Sequence, residues 1–356
     1  MPLAFLSAVA LASYLLPASP VPFSAFLTPS HPVAPSVAAQ ANTTWPVASQ
    51  YYAKGPLDFL FVAGGVLAWT LARALVIDYF LKPVGKALGC RKSMIDRFSE
   101  QGWLVIYYTL SWGAGMYFAM GAPWWKDTVH FWTDAPHLYL SASFKAYYLA
   151  QCAFWIQQLF VIHIEKPRKD HLQMLVHHIV TIALIVSSYY TNYTRIGCAV
   201  LATMDVGDIF LCSAKCFNYV HWRTICDATF VLFVGVWLYS RHYIYYFLIR
   251  SVYVESLATL EMRWAPSEGR YVSIGMWYFF LALLIILQIL LVLWLYLILR
   301  VIAKVITGSG AEDNRSDDEE DDDHADEAVA EDGPVKTTAR ADGGAAETTA
   351  TRRKRA

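Results

Sequence analysis

The sequence predicts an all-α, polytopic membrane bundle of about seven or eight transmembrane helices enclosing an intramembrane cavity. Three observations carry this reading. Of 356 residues, 56% are hydrophobic and only 16% charged, with a mean hydropathy of +0.36. The stretches 101–125, 146–164, 171–194 and 271–299 contain no Asp, Glu, Lys or Arg, and about 20 apolar residues suffice for a helix to cross the hydrocarbon of a bilayer. Charge is also segregated: residues 1–299 hold 19 basic and 14 acidic residues, whereas 300–356 hold 9 and 15. The net charge of −1 is thus a cancellation of unlike parts and says nothing about partners. A soluble enzyme, a secreted domain and a nucleic-acid binder are excluded.

In chain order, an apolar stretch at 1–16 opens the sequence. It has no positive n-region, since no Lys or Arg precedes Lys54, so it reads as a first membrane helix or a shortened start rather than a cleaved signal. With the Pro-, Ser- and Ala-rich segment that follows, it forms an N-terminal region, 1–56. Spans are expected at 57–81, 103–122, 142–163, 172–190, 196–214, 226–249 and 271–299, within a transmembrane domain of 57–305. Loop 82–102 holds Lys82, Lys86, Arg91, Lys92 and Arg97, loop 164–171 holds Lys166, Arg168 and Lys169, and loop 215–225 holds Lys215 and Arg223. Such loops stay in the cytosol. Loop 250–270 dissents with Arg250, Arg263 and Arg270, although Glu255, Glu261 and Glu268 accompany them. The sequon at Asn42 then faces the lumen, while those at Asn192 and Asn314 fall at a membrane edge and in the cytosolic tail.

The tail, 306–356, is a different material. Its acidic run at 317–323 is followed by Ala, Gly, Thr and charges without apolar periodicity, so it is expected to be disordered. Ser316 precedes that run, the context an acidic-directed kinase prefers. The terminal Arg352, Arg353, Lys354 and Arg355 resemble a dibasic retrieval signal of the endoplasmic reticulum (ER), or form a solvated charge cluster. The six cysteines show no paired spacing and read as small buried hydrophobes.

Ionisable groups within a membrane are costly and mark functional sites. The short list is His177, His178, Asp205 and Asp208, with isolated Arg73, Asp78, Lys145 and Arg241. Adjacent helical residues diverge by about 100°, so the two imidazoles cannot share one target in the same way. Thr181 follows His177 by four residues and shares its face. Asp205 and Asp208, at i and i+3, project from one face of the next helix. Two carboxylates in low dielectric need a partner, and the histidine pair on the antiparallel neighbour is the nearest supply. A His–Asp arrangement orients an imidazole and raises its basicity; alternatively it only locks two helices. No HxxxH or HxxE spacing sets two ligands on one face, so no metal site is expected.

Over residues 165–215 the chain carries R-K-D before a helix, H-H-x-x-T, S-Y, Asn and Arg near a turn, D-x-x-D and a Lys. This pattern resembles the Lag motif of the TLC-domain ceramide synthases, and looks most like the fungal members; weaker similarity runs from about 95 to 305. The resemblance implies acyl transfer from fatty acyl-CoA to the amine of a sphingoid base, giving (dihydro)ceramide in the ER membrane, with no cofactor. It implies that His177, His178, Asp205 and Asp208 are the essential residues and that Arg195 and Lys215 support substrate binding. It also implies a small single-span regulatory subunit and a homo- or heterodimer. The chain departs from the animal pattern in lacking a homeobox-like segment, and from the fungal one in its short N-terminal arm. Lys166, Arg168 and Lys169 would meet the phosphates of CoA or serve topology alone. An imidazole would deprotonate the amine as general base, or attack first to form an acyl-histidine; both routes stay open. A non-catalytic lipid-binding member of the same family is the alternative, and a transporter would need an inverted repeat that is not visible.

Overall fold

The computed structural model describes residues 7–9, 12, 23–40, 48–164 and 170–306. Lys166, Arg168 and Lys169, with Asn42, Ser316 and the acidic tail, lie outside these residues. Among the described residues seven long helices alternate in direction: α1 (Asp58–Ala87), α2 (Ile95–Met120), α3 (Ala142–Ile164), α4 (His171–Tyr190), α5 (Thr194–Tyr219), α6 (Arg223–Thr259) and α7 (Ile274–Ile306). Packing runs in a ring, α1–α3–α4–α7–α6–α5–α2 and back to α1. Five of them, α1, α4, α5, α6 and α7, are long and apolar enough to cross a membrane. The other two, of 26 and 23 residues, would extend roughly 39 and 35 Å at 1.5 Å per residue. They carry polar groups inward: Ser99, Gln101, Ser111, Lys145, Gln151 and Gln157 are all buried.

α7 displays the logic of a lipid-facing helix. Leu284, Leu287, Leu291, Trp294 and Ile298 are buried at steps of three and four, while Ile285, Ile289, Val292, Leu293 and Tyr296 are exposed. An apolar stripe packs inward and an apolar face remains for hydrocarbon. Lipid tails are as apolar as leucine, so polar contacts and close packing hold such helices together. Lys145 of α3 pairs with Asp58 of α1 at 2.7 Å, Tyr189 of α4 donates to the same carboxylate at 2.8 Å, and Tyr148 and Ser188 join α3 to α4 at 2.5 Å. Two of the isolated charges outside the cavity also find partners: Arg73 meets Glu100 at 3.7 Å and Asp78 meets Lys82 at 3.0 Å.

One end of the bundle carries Lys86, Arg91 and Lys92; the other is capped. Strands β1 (Pro32–Val33), β2 (Tyr51–Tyr52) and β3 (Leu140–Ser141) form a small antiparallel sheet there, beside the hairpin β4 (Trp264–Ala265)–β5 (Arg270–Tyr271). Asn192, in the left-handed region at φ 71°, accepts from Lys54 at 2.5 Å and donates to the Gly269 carbonyl at 2.8 Å. Its side chain is buried and engaged on both sides, which closes that sequon to a glycan. The expected loop at 250–270 is shorter than predicted, because α6 continues to Thr259 through two π-helical segments, Tyr239–Ile244 and Ser251–Glu255. The dissenting arginines are offset: Arg250 meets Glu255 at 3.1 Å and Arg263 meets Glu268 at 2.7 Å. All six cysteines are free, and only Cys226 is not fully buried.

His137, in the loop before α3, is buried, with Nε2 3.3 Å from the Phe131 carbonyl. Burial, then the nearby Arg195 guanidinium, pushes its pKa down from 6.5 to about 3. The unfolded chain therefore binds more protons between those values. The stability this site contributes is complete above pH 6.5 and is lost as pH falls toward 3. At about 1.4 kcal/mol per unit, this group alone makes the protein roughly 2 kcal/mol less stable at pH 5 than at pH 7.5. His137→Gln, whose amide also reaches the carbonyl, is expected to flatten that limb in thermal melts of the detergent-solubilised protein. An unchanged slope would contradict the assignment.

Candidate active site within the membrane

An elongated cavity runs inside the ring, lined chiefly by α4, α5, α6 and α7. Its long wall is one face of α7, with Met276, Phe280, Leu284, Leu287 and Leu291 in succession, a depth of roughly 22 Å at 1.5 Å per residue. The capped end is lined by Tyr193, Met262, Tyr271 and Ser273. The polar groups concentrate at the opposite end, where His177, Asp205, Asp208 and Arg241 all border the cavity. His177 is six residues into α4, about 9 Å from its basic end.

The two histidines diverge as helical geometry requires. His177 faces the cavity together with Thr181. Its ring packs edge-on against Trp155 and Trp294, each with centroids 5.3 Å away, and its buried Nδ1 has no hydrogen-bond partner among the described residues. His178 points elsewhere: it is 5% exposed, its Nδ1 lies 2.6 Å from the Met174 carbonyl, and its ring leans on Trp155 at 5.5 Å.

The expected His–Asp bond is replaced by other partners. Asp208 pairs with Arg241 of α6 at 2.6 Å. Arg241 also donates to the Met204 carbonyl at 2.7 Å and lies 4.0 Å over the Trp237 ring. Arg241 sits in the π-helical segment Tyr239–Ile244, where the wider turn alters the direction in which side chains leave the helix. Asp205, 1% exposed, accepts from the Ser111 hydroxyl, which accepts in turn from the Gln151 amide. Gln151 accepts from Tyr107 at 2.5 Å. The carboxylates are therefore fixed by α6 on one side and by α2 and α3 on the other. A buried charge with a partner on each side is tolerable where an unpaired one is not.

Of the remaining predicted residues, Lys215 stands seven positions beyond Asp208, half-buried toward the basic end. Arg195 is not at the cavity. It lies at the capped end of α5, donating to the carbonyls of His130 at 2.9 Å and Thr133 at 3.4 Å, over the ring of Trp124. There it holds the α2–α3 loop, ten residues from Asp205 along α5. Sequence reading did not assign Arg241, Ser111, Gln151, Trp155 or Trp294 to the site. Arg241 was visible as an isolated intramembrane charge, and Ser111 and Gln151 as polar positions in charge-free stretches. Their partners are distant in sequence and left no local signal.

The sequence profile of the TLC domain matches residues 97–300. The chain is 38% identical over 266 residues to Sphingosine N-acyltransferase lag1 of Schizosaccharomyces pombe, covering 74% of this chain and 68% of that protein. It is 34% identical over 293 residues to Sphingosine N-acyltransferase-like protein ALT7 of Alternaria alternata, with the same coverage of 74% and 68%. Human Ceramide synthase 5 is 34% identical over 222 residues, 62% of this chain and 54% of its own length. The matched region leaves out α1, the first two residues of α2 and the last turns of α7, and it holds the whole polar end of the cavity: the chain belongs to the TLC-domain family.

Proposed function

We propose that this chain is an acyl-CoA-dependent sphingosine N-acyltransferase, a ceramide synthase. The observation that carries the reading is the setting of His177: an imidazole facing an apolar cavity about 22 Å deep, which Asp205 and Asp208 also border. A fatty acyl chain fits such a cavity, and the basic end of the bundle suits the phosphates of CoA. We place that end in the cytosol, in the ER membrane, with the tail on the same side.

The chemistry requires that the thioester C–S bond break as an amide C–N bond forms. The sphingoid ammonium gives up two protons in all, one to the departing thiolate and one to solvent. His177 is positioned either to take the first of these or to attack the thioester carbonyl itself. Asp208, fixed by Arg241, and Asp205, fixed by Ser111, border the space where the amine would approach. His178 supports this arrangement by holding the Trp155 wall. A single-span regulatory subunit and a second copy of the chain are further partners we propose from the family.

The test is transfer to sphinganine from a series of acyl-CoAs. Cavity depth sets chain length in this reading, so Met276→Trp, at the capped end, is expected to shift the optimum to shorter acyl chains while short-chain turnover persists. An unchanged chain-length profile in a folded variant would contradict the assignment of this cavity to the acyl chain.

A further inference from the structure

Buried polar groups in folded proteins are almost always paired, so each exception calls for an explanation. Among the residues that border the cavity, three carry a buried side-chain nitrogen with no partner among the described residues: Trp155 Nε1, His177 Nδ1 and Arg241 Nε. They gather at one end. Trp155 is 5.3 Å from the His177 ring, centroid to centroid. Arg241 already uses Nη2 for Asp208 and the Met204 carbonyl, which leaves its Nε–H uncommitted. Two N–H donors that border the same cavity as the His177 imidazole thus lack an oxygen acceptor among the described residues.

We infer that Trp155 Nε1–H and Arg241 Nε–H are the donors for the thioester carbonyl oxygen, and stabilise the oxyanion that develops there. This deepens the acyltransferase reading and rests on it. When a nucleophile attacks the carbonyl carbon, the C=O pair moves onto oxygen. When that pair returns, the C–S bond breaks and CoA leaves as thiolate. Donors fixed in advance at the oxygen favour the charged intermediate over the neutral thioester. Arg241 is already anchored by Asp208, and Trp155 is held by the rings of Phe154, His177 and His178. Both are thus set before substrate arrives. Trp155 becomes a catalytic residue, distinct from the wall-forming role its apolar ring would suggest.

The experiment compares purified wild type with Trp155→Phe, which keeps an aromatic ring against His177 but removes the N–H. Trp103→Phe is the control: its indole nitrogen is also buried and unpaired, but it does not border the cavity. Trp155→Phe is expected to lower kcat by about 10²-fold with KM for acyl-CoA nearly unchanged and the chain-length profile retained, while its melting temperature falls no further than that of Trp103→Phe, because both lose a buried ring and neither loses a hydrogen bond. Trp103→Phe is expected to keep wild-type kcat. A wild-type kcat in Trp155→Phe would overturn the inference, as would a loss of activity that tracks a loss of thermal stability. If that variant does not fold, 3-benzothienylalanine at position 155 replaces the N–H by sulfur at constant shape, and the same outcomes apply. Absence of transfer in wild type would instead overturn the acyltransferase reading itself.

Discussion

Replacing His177 by alanine is expected to lower acyl transfer by at least about 10³-fold, the scale of a lost general base or nucleophile. The expectation rests on position. His177 is the histidine that borders the cavity, and its ring is held between Trp155 and Trp294. No conservative residue restores it, because asparagine or glutamine neither accepts a proton at neutral pH nor attacks a thioester. His178 differs. Its Nδ1 is 2.6 Å from the Met174 carbonyl, and an asparagine side chain at 178 reaches the same acceptor. His178→Asn is therefore expected to retain clearly more activity than His178→Ala, whereas His177→Asn and His177→Ala are equally inactive. Equal loss in all four variants would assign chemistry to both imidazoles.

The second large effect concerns Asp208 and Arg241, at 2.6 Å with side chains 21% and 5% exposed. Removing one partner leaves a charge of low accessibility without compensation, at a cost of about 3–5 kcal/mol. Arg241→Met and Asp208→Asn are each expected to lower the melting temperature markedly and to abolish transfer. The double variant removes both charges together. It is expected to recover most of the lost stability, since a neutral pair has little desolvation cost, yet to remain inactive because the carboxylate and the guanidinium are both missing from the site. Recovery of activity along with stability would reduce the pair to a helix lock.

The long helices were legible because an apolar run of about 20 residues has few alternative fates. The polar end was legible in part for the same reason: a histidine pair and two aspartates stand out where charges are costly. The spacing of Asp205 and Asp208 fixed their common face, but could not identify their partners. Arg241 is 33 residues from Asp208, and its direction follows a π-helical segment that no local pattern in Tyr239–Ile244 announces. The Ser111–Gln151 relay joins three helices through neutral side chains, which carry no charge signal. Arg195 stands about 15 Å of helix from Asp205, a separation that its place in the same motif does not display. At the capped end, strands of two residues each are too short for any alternation to reveal them.

The proposed reaction moves an acyl group from CoA to a sphingoid amine through His177, at the polar end of this cavity. Its most direct test supplies the purified chain with sphinganine and a long-chain acyl-CoA, and counts ceramide formed against CoA released. The wild type is expected to give one CoA per ceramide, and the His177→Ala, His178→Ala double variant neither product above background. Transfer that survives in the double variant would contradict a catalytic role for these imidazoles.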